Sequence, residues 1–203
     1  ALRRLYYLRR GPLLNPGPMR SLDDRAEIRS LFIRFPMEDC LCMMAPLLWR
    51  CGPNEPDLEE IPPETLALWG NSVIAADNYH TMIVWSGNDV ADESNDELRI
   101  LCKAHLVARA EYRFPMPQLH IVAEKESMSR RFTALLAPSH GDPIDHSLAN
   151  FPALARLSSQ DLEAVRAKFK FYDPESDPSF RSWFWNVASA TSTSKDEGIS
   201  LCE

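Results

Sequence analysis

The sequence predicts an α+β fold, a mixed sheet flanked by helices and preceded by the end of an all-helical segment. Three observations carry this expectation. Residues 1–35 show only helical periodicity. Three runs rich in β-branched and aromatic residues then follow, at 47–49, 72–87 and 118–124. Helical stripes are interspersed among these runs irregularly, without the strict βαβ alternation of a doubly wound sheet.

Taken in order, Leu2, Leu5 and Tyr6 recur at helical spacing, and the stripe stops at Gly11-Pro12. A Pro/Gly-rich connection, GPLLNPGPMR, leads to Ser21 and Asp24, which have capping-box spacing. Ile28, Leu31, Phe32 and Phe35 form the next stripe, which ends before Pro36. These helices are too short to bury their apolar faces alone and are expected to dock on others.

Leu47-Leu48-Trp49 reads as a short strand and the proline-bearing acidic segment 53–64 as a loop. SVIAADNYHTMIVWSG reads as two strands around a turn near Asp77-Asn78, with 82–85 the most buried. Ser94 and Glu97 are placed as a capping box for a helix carrying Leu98, Leu101, Cys102 and His105. FPMP at 114–117 is extended, because both prolines exclude helix, and QLHIVAE is a strand. A short helix is expected from Ser129 to near Pro138, and another on Leu162, Val165 and Phe169. Asp177-Pro178 starts the last, on Phe180, Trp183, Phe184 and Val187; the polar tail from Thr191 is expected to be disordered.

The chain has 203 residues, a net charge of −7 and 45% apolar side chains, consistent with a soluble globular protein of one or two domains. Its seven glycines, at 11, 17, 52, 70, 87, 141 and 198, form neither GxGxxG nor GxxxxGK[ST], so the usual phosphate cradles are missing. The acidic balance argues against a nucleic-acid binder. Charge is segregated: residues 1–50 carry nine arginines against five acids, and residues 51–100 carry Arg99 alone against eleven. Five cysteines, Cys40, Cys42, Cys51, Cys102 and Cys202, suit a reducing compartment. No apolar run reaches the ~18–20 residues of a membrane span. The opening ALRRLYYLRR, already inside a helical pattern, reads as part of a longer cytosolic protein.

Most candidate chemistry has a simple structural explanation. Cys40, Cys42 and Cys51 lack a fourth ligand at finger-like spacing, and free cysteine in an apolar stretch behaves as a small hydrophobe. No metal or other cofactor is expected. Asp89, Asp92, Glu93, Asp96 and Glu97 lack the central glycine of a calcium loop and fit a solvated helix start. Ser139, His140, Asp142 and His146 have the residue types of a hydrolase triad but no nucleophile elbow. His80, His105 and His120 share no spacing and read as structural.

Arg130-Arg131 is more informative. Placed in the first turn of the helix after QLHIVAE, the pair opposes the helix dipole, a local cost of ~0.3–1 kcal/mol each. With Phe132, Leu135 and Leu136 on the buried face, Arg130 points away and Arg131 lies at the rim, roughly 100° before Phe132. Glu124 and Glu126 offer a simpler role for both arginines, as neutralised surface charges.

The run EYRFPMPQLHIVAEKESMSRRFTALLAPSH, residues 111–140, resembles the gelsolin-like domain of the GTPase-activating inner-coat subunit of COPII vesicles. The shared pattern is an Arg-Phe-Pro-x-Pro connector (113–117), a strand (118–124), Arg131-Phe132 opening a helix, and Pro138-Ser139. LRRLYYLRRGPLLN is similar to that family's helical-domain segment, VIAADNYHTMIVWSG to its central hairpin, and DPSFRSWFWNVASA to its last helix. The resemblance implies residues 1–45 as the end of a helical domain, 46–190 as a gelsolin-like domain and 191–203 as a tail. It also implies that Arg131 is an arginine finger entering the active site of a Sar-family small GTPase, so that the chain activates in trans and has no active site of its own. Implied partners are that GTPase, the cargo-binding sister subunit and the outer coat, on the cytoplasmic side of endoplasmic reticulum exit sites and vesicles. Two alternatives stand beside it: a coat scaffold without GTPase activation, favoured by the glycine-free loop Glu126-Ser127-Met128-Ser129, and an actin- or calcium-binding gelsolin-like module.

Overall fold

The computed structural model describes residues 2–11, 13–14, 21–169 and 177–196. Residues 15–20 of the Pro/Gly connection, the Asp24 side chain of the expected capping box and the tail with Gly198 and Cys202 lie outside the described residues. The fold is α+β, a five-stranded mixed sheet covered by helices on both faces.

Three helices open it: α1 (Leu2–Arg10), α2 (Leu22–Arg34) and α3 (Met37–Met44). The third was not legible in the apolar stretch around Cys40 and Cys42. Its first turn carries Glu38 and Asp39, which favour that end of the helix dipole, and Cys40, Cys42 and Met43 face inward. Helix α1 buries Tyr6 and Tyr7, while Leu2 and Leu5 are exposed, so the docking face is rotated from the one the leucines suggest.

The strands are β1 (Leu47–Gly52), β2 (Glu55–Ile61), β3 (Val73–Asp77), β4 (Thr81–Ser86) and β5 (Gln118–Ala123), ordered β2-β1-β3-β4-β5. All neighbours are antiparallel except β4 and β5, which are parallel and joined through α4 (Asp96–Ala110). The acidic segment expected as a loop is therefore an edge strand. Arg50 on β1 holds Glu55 at 2.6 Å and Glu59 at 3.1 Å, and an edge position tolerates both Pro56 and a charged outer face.

Period-two alternation divides the core. Trp49, Cys51, Val73, Ala75, Met82 and Val84 meet Cys102 and Leu106 of α4 on one face. Leu48, Ile74, Ala76, Ile83 and Trp85 meet Phe132, Leu136, Leu154 and Val165 on the other. The four-residue run 82–85 is almost completely buried, as expected for a strand covered on both sides. The Ser94–Glu97 box does not form: Ser94 donates to Asp92 at 2.9 Å and α4 begins two residues later, with no side-chain cap. Leu101 is on the outer face of α4, and Leu106 takes its place in the core.

The remaining helices are α5 (Ser127–Thr133), α6 (Ile144–Asn150), α7 (Ser159–Ala167) and α8 (Phe180–Asp196). Ser158 caps α7 by accepting from Asp161 N–H at 3.1 Å. Helix α8 continues past Thr191, where the composition turns polar, to Asp196. Its start packs on α1, with Tyr6 against Phe180 and Trp183.

At the β3–β4 turn Asp77 is fully buried and bound by Arg113 at 2.6 and 2.8 Å and by Arg109 at 2.9 Å. It also accepts from the N–H of Tyr79, which has a positive φ of 61°, at 3.0 Å. Burial alone would raise the carboxyl, but the arginines more than offset it and hold it below its ordinary range.

Candidate functional site

Strand β5 ends at Ala123, Glu126 N–H closes a turn onto Ala123 C=O at 3.0 Å, and α5 begins at once. It starts at Ser127, two residues earlier than the sequence suggested. This moves Arg130 and Arg131 from the first turn to the last, where a cation favours the helix dipole instead of opposing it. The expected local cost is absent, and the sign of that part of the sequence argument reverses.

What holds α5 is its inner side. Phe132 is completely buried beneath the sheet, 6.5 Å from the Trp85 ring. The Trp85 indole N–H donates to Ser129 Oγ at 3.0 Å, and Thr133 Oγ1 donates back to Ser129 C=O at 2.8 Å. A buried indole must find an acceptor, and here the acceptor pins the helix to the central strand. Beyond α5, Ala137 N–H donates to Pro63 C=O at 2.9 Å and its C=O accepts from Thr65 N–H at 2.8 Å.

The opening helix reaches the same segment. Arg10 binds both oxygens of Asp177, at 2.8 and 2.6 Å, and donates to Leu136 C=O at 2.9 Å. Tyr7 OH donates to Pro63 C=O at 3.1 Å, and Arg3 lies 3.6 Å from the buried Glu64. Burial is the largest influence on Glu64 and pushes its carboxyl up to about 7. None of these supports was recognised in the sequence; the signal for Arg10 was its place on the inward side of an Arg-rich helix beside two tyrosines.

Arg131 is exposed and makes no ion pair or side-chain hydrogen bond among the described residues. The same holds for Arg130, which lines a cleft with Trp85, Ser129 and Thr133. Glu124 does not neutralise either: it accepts from Lys168 at 2.7 Å and from Asn88 N–H at 2.9 Å. The site is thus a seven-residue helix fixed from below, presenting two uncompensated guanidinium groups.

Other candidate groups are dispersed. Ser139 is buried, its Oγ accepting from Leu66 N–H at 3.4 Å; Asp142 accepts from Ser179 at 2.6 Å; His146 faces Asn150 at 3.3 Å. They make no triad. Cys40 donates to Phe32 C=O at 3.1 Å, Cys42 contacts Asp77 Oδ1 at 3.3 Å with its thiol pushed up to about 12 by burial, and Cys51 lies 3.6 Å from Cys102. Asp92 accepts from Ser94 and Asn95, and Asp96 binds Arg99. Among the described residues no group of three His, Cys, Asp or Glu could hold a metal, and no helix is long and apolar enough to cross a membrane.

No protein-family model matches the sequence. "Protein transport protein SEC23 A" of Arabidopsis thaliana is 28% identical over 183 residues, which is 88% of this chain and 20% of that protein. Over most of its length this chain is thus similar to a COPII coat subunit. It spans about a fifth of the length of the relative it matches. The human COPII-coat protein Sec24c superposes with a TM-score of 0.57 over 66% of this chain and 21% of its own, at 16% identity, and so shares the fold. A Thorarchaeota 2DGel3–rabbit actin complex reaches a TM-score of only 0.35, at 18% identity over 44% of this chain and 45% of its own, too low to support an argument.

Proposed function

We propose that this chain is the part of a COPII inner-coat subunit that stimulates GTP hydrolysis by a Sar-family small GTPase, with Arg131 as the residue that reaches the nucleotide. The observation that carries the reading is the contrast within α5. Phe132 and Ser129 are locked into the core, while the Arg131 guanidinium beside them, like that of Arg130, is exposed and unpaired among the described residues. A finger needs a rigid base, because a donor that must first be ordered loses part of its effect. Arginine suits the role through its permanent charge and planar donor fork, which match developing charge on γ-phosphate oxygens. In this reading the chain activates in trans and contributes no active site of its own.

The same proposal takes residues 1–45 as the end of a helical domain and 46–190 as a gelsolin-like domain. The cargo-binding sister subunit and the outer coat are its further partners, at the cytoplasmic surface of endoplasmic reticulum exit sites. Single-turnover GTP hydrolysis with full-length protein tests it: Arg131→Ala is expected to lower stimulation ~10³-fold or more. Equal rates for the two proteins would overturn the assignment.

One observation favours a second reading, a coat scaffold without activation. Helix α5 starts directly after a three-residue turn, leaving no flexible glycine loop to adjust Arg131. Unchanged GTPase binding with no stimulation by the wild-type protein selects that reading.

A further inference from the structure

Strands β2 and β5 are the two edges of the sheet, and they differ in how they meet solvent. Strand β2 carries Pro56, Asp57, Glu59 and Glu60, all exposed, a composition that discourages pairing with another strand. Strand β5 has neither a charge nor a proline, and the exposed charges just beyond it, Lys125 and Glu126, are of opposite sign. Its ladder to β4 begins with Gln118 N–H donating to His80 C=O and ends with Glu124 N–H donating to Ser86 C=O, each at 2.9 Å. Even-numbered residues therefore face β4. The N–H and C=O groups of Leu119 and Ile121 point outward and have no partner among the described residues.

The surface beside this edge is apolar. Helix α4 lies mainly over β1, β3 and β4 and leaves β5 at its margin. Leu119 packs at the rim of that core, and Ile121, on the same face, is 57% exposed. A groove of about 560 Å³ opens there, with Met82, Val107, Met116 and Leu119 in its lining. Val107 and Met116 are 52% and 81% exposed, so a side chain laid in the groove has apolar surface to cover.

We propose that β5 pairs antiparallel with β5 of a second copy of this chain, about a two-fold axis at His120, so that two sheets become one. The argument for a second copy is self-complementarity. In this register Leu119 stands opposite Ile121 of the second copy, and every outward N–H and C=O of both residues is paired. Each Ile121 side chain falls beside Leu119 of the other copy, at the groove bounded by Val107 and Met116. One chain thus supplies the strand, the protruding side chain and the groove that receives it. No like charges meet along the ladder, as they would if β2 paired with itself. The inference does not involve Arg131 and stands apart from the reading above.

Sedimentation velocity of the full-length protein tests it, with a Kd on the order of 10–100 μM expected for so short a pairing. Ile121→Lys is expected to weaken self-association at least about tenfold, because a lysine on an edge strand blocks its pairing. Ile100→Lys changes a similarly exposed residue about two turns away along α4 and is expected to leave it within about twofold. Amide hydrogen exchange locates the contact: the Leu119 and Ile121 amides are expected to slow as protein concentration rises. A protein still monomeric at about 300 μM overturns the proposal. So does a dimer whose Leu119 and Ile121 amides exchange as fast as in the monomer, or one unaffected by Ile121→Lys in a variant that melts as a folded protein. Slowing of these amides only when another coat protein is added also overturns it, in favour of a foreign strand on the same edge.

Discussion

Two pairs of arginines in this molecule have opposite surroundings. Arg109 and Arg113 converge on Asp77 between α4 and the β3–β4 turn, with Arg113 also stacked 5.0 Å over Tyr79 and Arg109 4.7 Å over Trp49. Arg130 and Arg131 stand in α5 with no counter-charge among the described residues. In the first pair three donors converge on one buried carboxylate, and the charge is absorbed by the fold. In the second, packing fixes only the backbone beneath the side chains. Arginine is thus a structural residue where a buried carboxylate demands it, and an available reagent where the helix is anchored by its other face.

The largest test of this difference is Asp77→Ala. It leaves two partly buried cations facing each other and is expected to destabilise the protein by ~3–5 kcal/mol in chemical denaturation. A loss below about 1 kcal/mol would show that the network is ornamental to the fold. Because its arginines hold the Asp77 carboxyl below the ordinary range, its contribution is present above the unfolded pKa and is lost as the solution is acidified through the folded value.

Glu64 sharpens the comparison because its titration has the opposite sense. It is buried against α1, where the half-exposed Arg3 does not offset the burial, and its carboxyl is raised from 4.5 to about 7, with Asp142 adding to the rise. The folded state therefore binds more protons than the unfolded one between those values. Stability from this site is full below pH 4.5 and declines as pH rises toward about 7, by on the order of 3 kcal/mol. The difference between wild type and Glu64→Gln, followed as melting temperature against pH, is expected to trace that decline and then to flatten. A pH-independent difference would mean that Arg3 compensates the charge fully.

A smaller effect is expected for the anchor of α5. Ser129→Ala leaves the buried Trp85 N–H without its acceptor and is expected to cost ~1–2 kcal/mol, with a shift in tryptophan emission. The helix then loses its pin to β4, so stimulation of hydrolysis should fall further than stability alone explains. Retained stimulation would show that Phe132 suffices to position Arg131.

The apolar run 82–85 and the prolines at 114–117 made the sheet and the connector legible in the sequence, and the Arg-Phe pair is what singles out Arg131 as a candidate. The failures have a common physical cause. Strand β2 was hidden because Glu55, Asp57, Glu59 and Glu60 are loop-like in composition, and it is the arginines from distant positions, Arg50 on Glu55 and Glu59 and Arg156 on Glu55, that explain the acids' place. Helix α3 was hidden by the apolar run Cys40–Met44 that follows its acidic first turn, and the start of α5 by a serine-rich turn with no cap side chain. The supports from Arg10, Glu64 and Ser129 all cross between distant segments, which no local pattern encodes.

The smallest expected effect is the most discriminating. Arg131→Ala removes an exposed side chain with no partner among the described residues, so its stability change should lie within about 0.5 kcal/mol. Arg113→Ala, by contrast, uncovers Asp77 and should cost ~3 kcal/mol or more. If Arg131→Ala destabilises comparably, its guanidinium is bound within the fold and the distinction between the two pairs collapses, whatever happens to GTP hydrolysis. If stability is unchanged while stimulation is lost, the charge was kept free for a partner. That combination of outcomes cannot come from a structural role, because a structural role would have to appear in the denaturation curve.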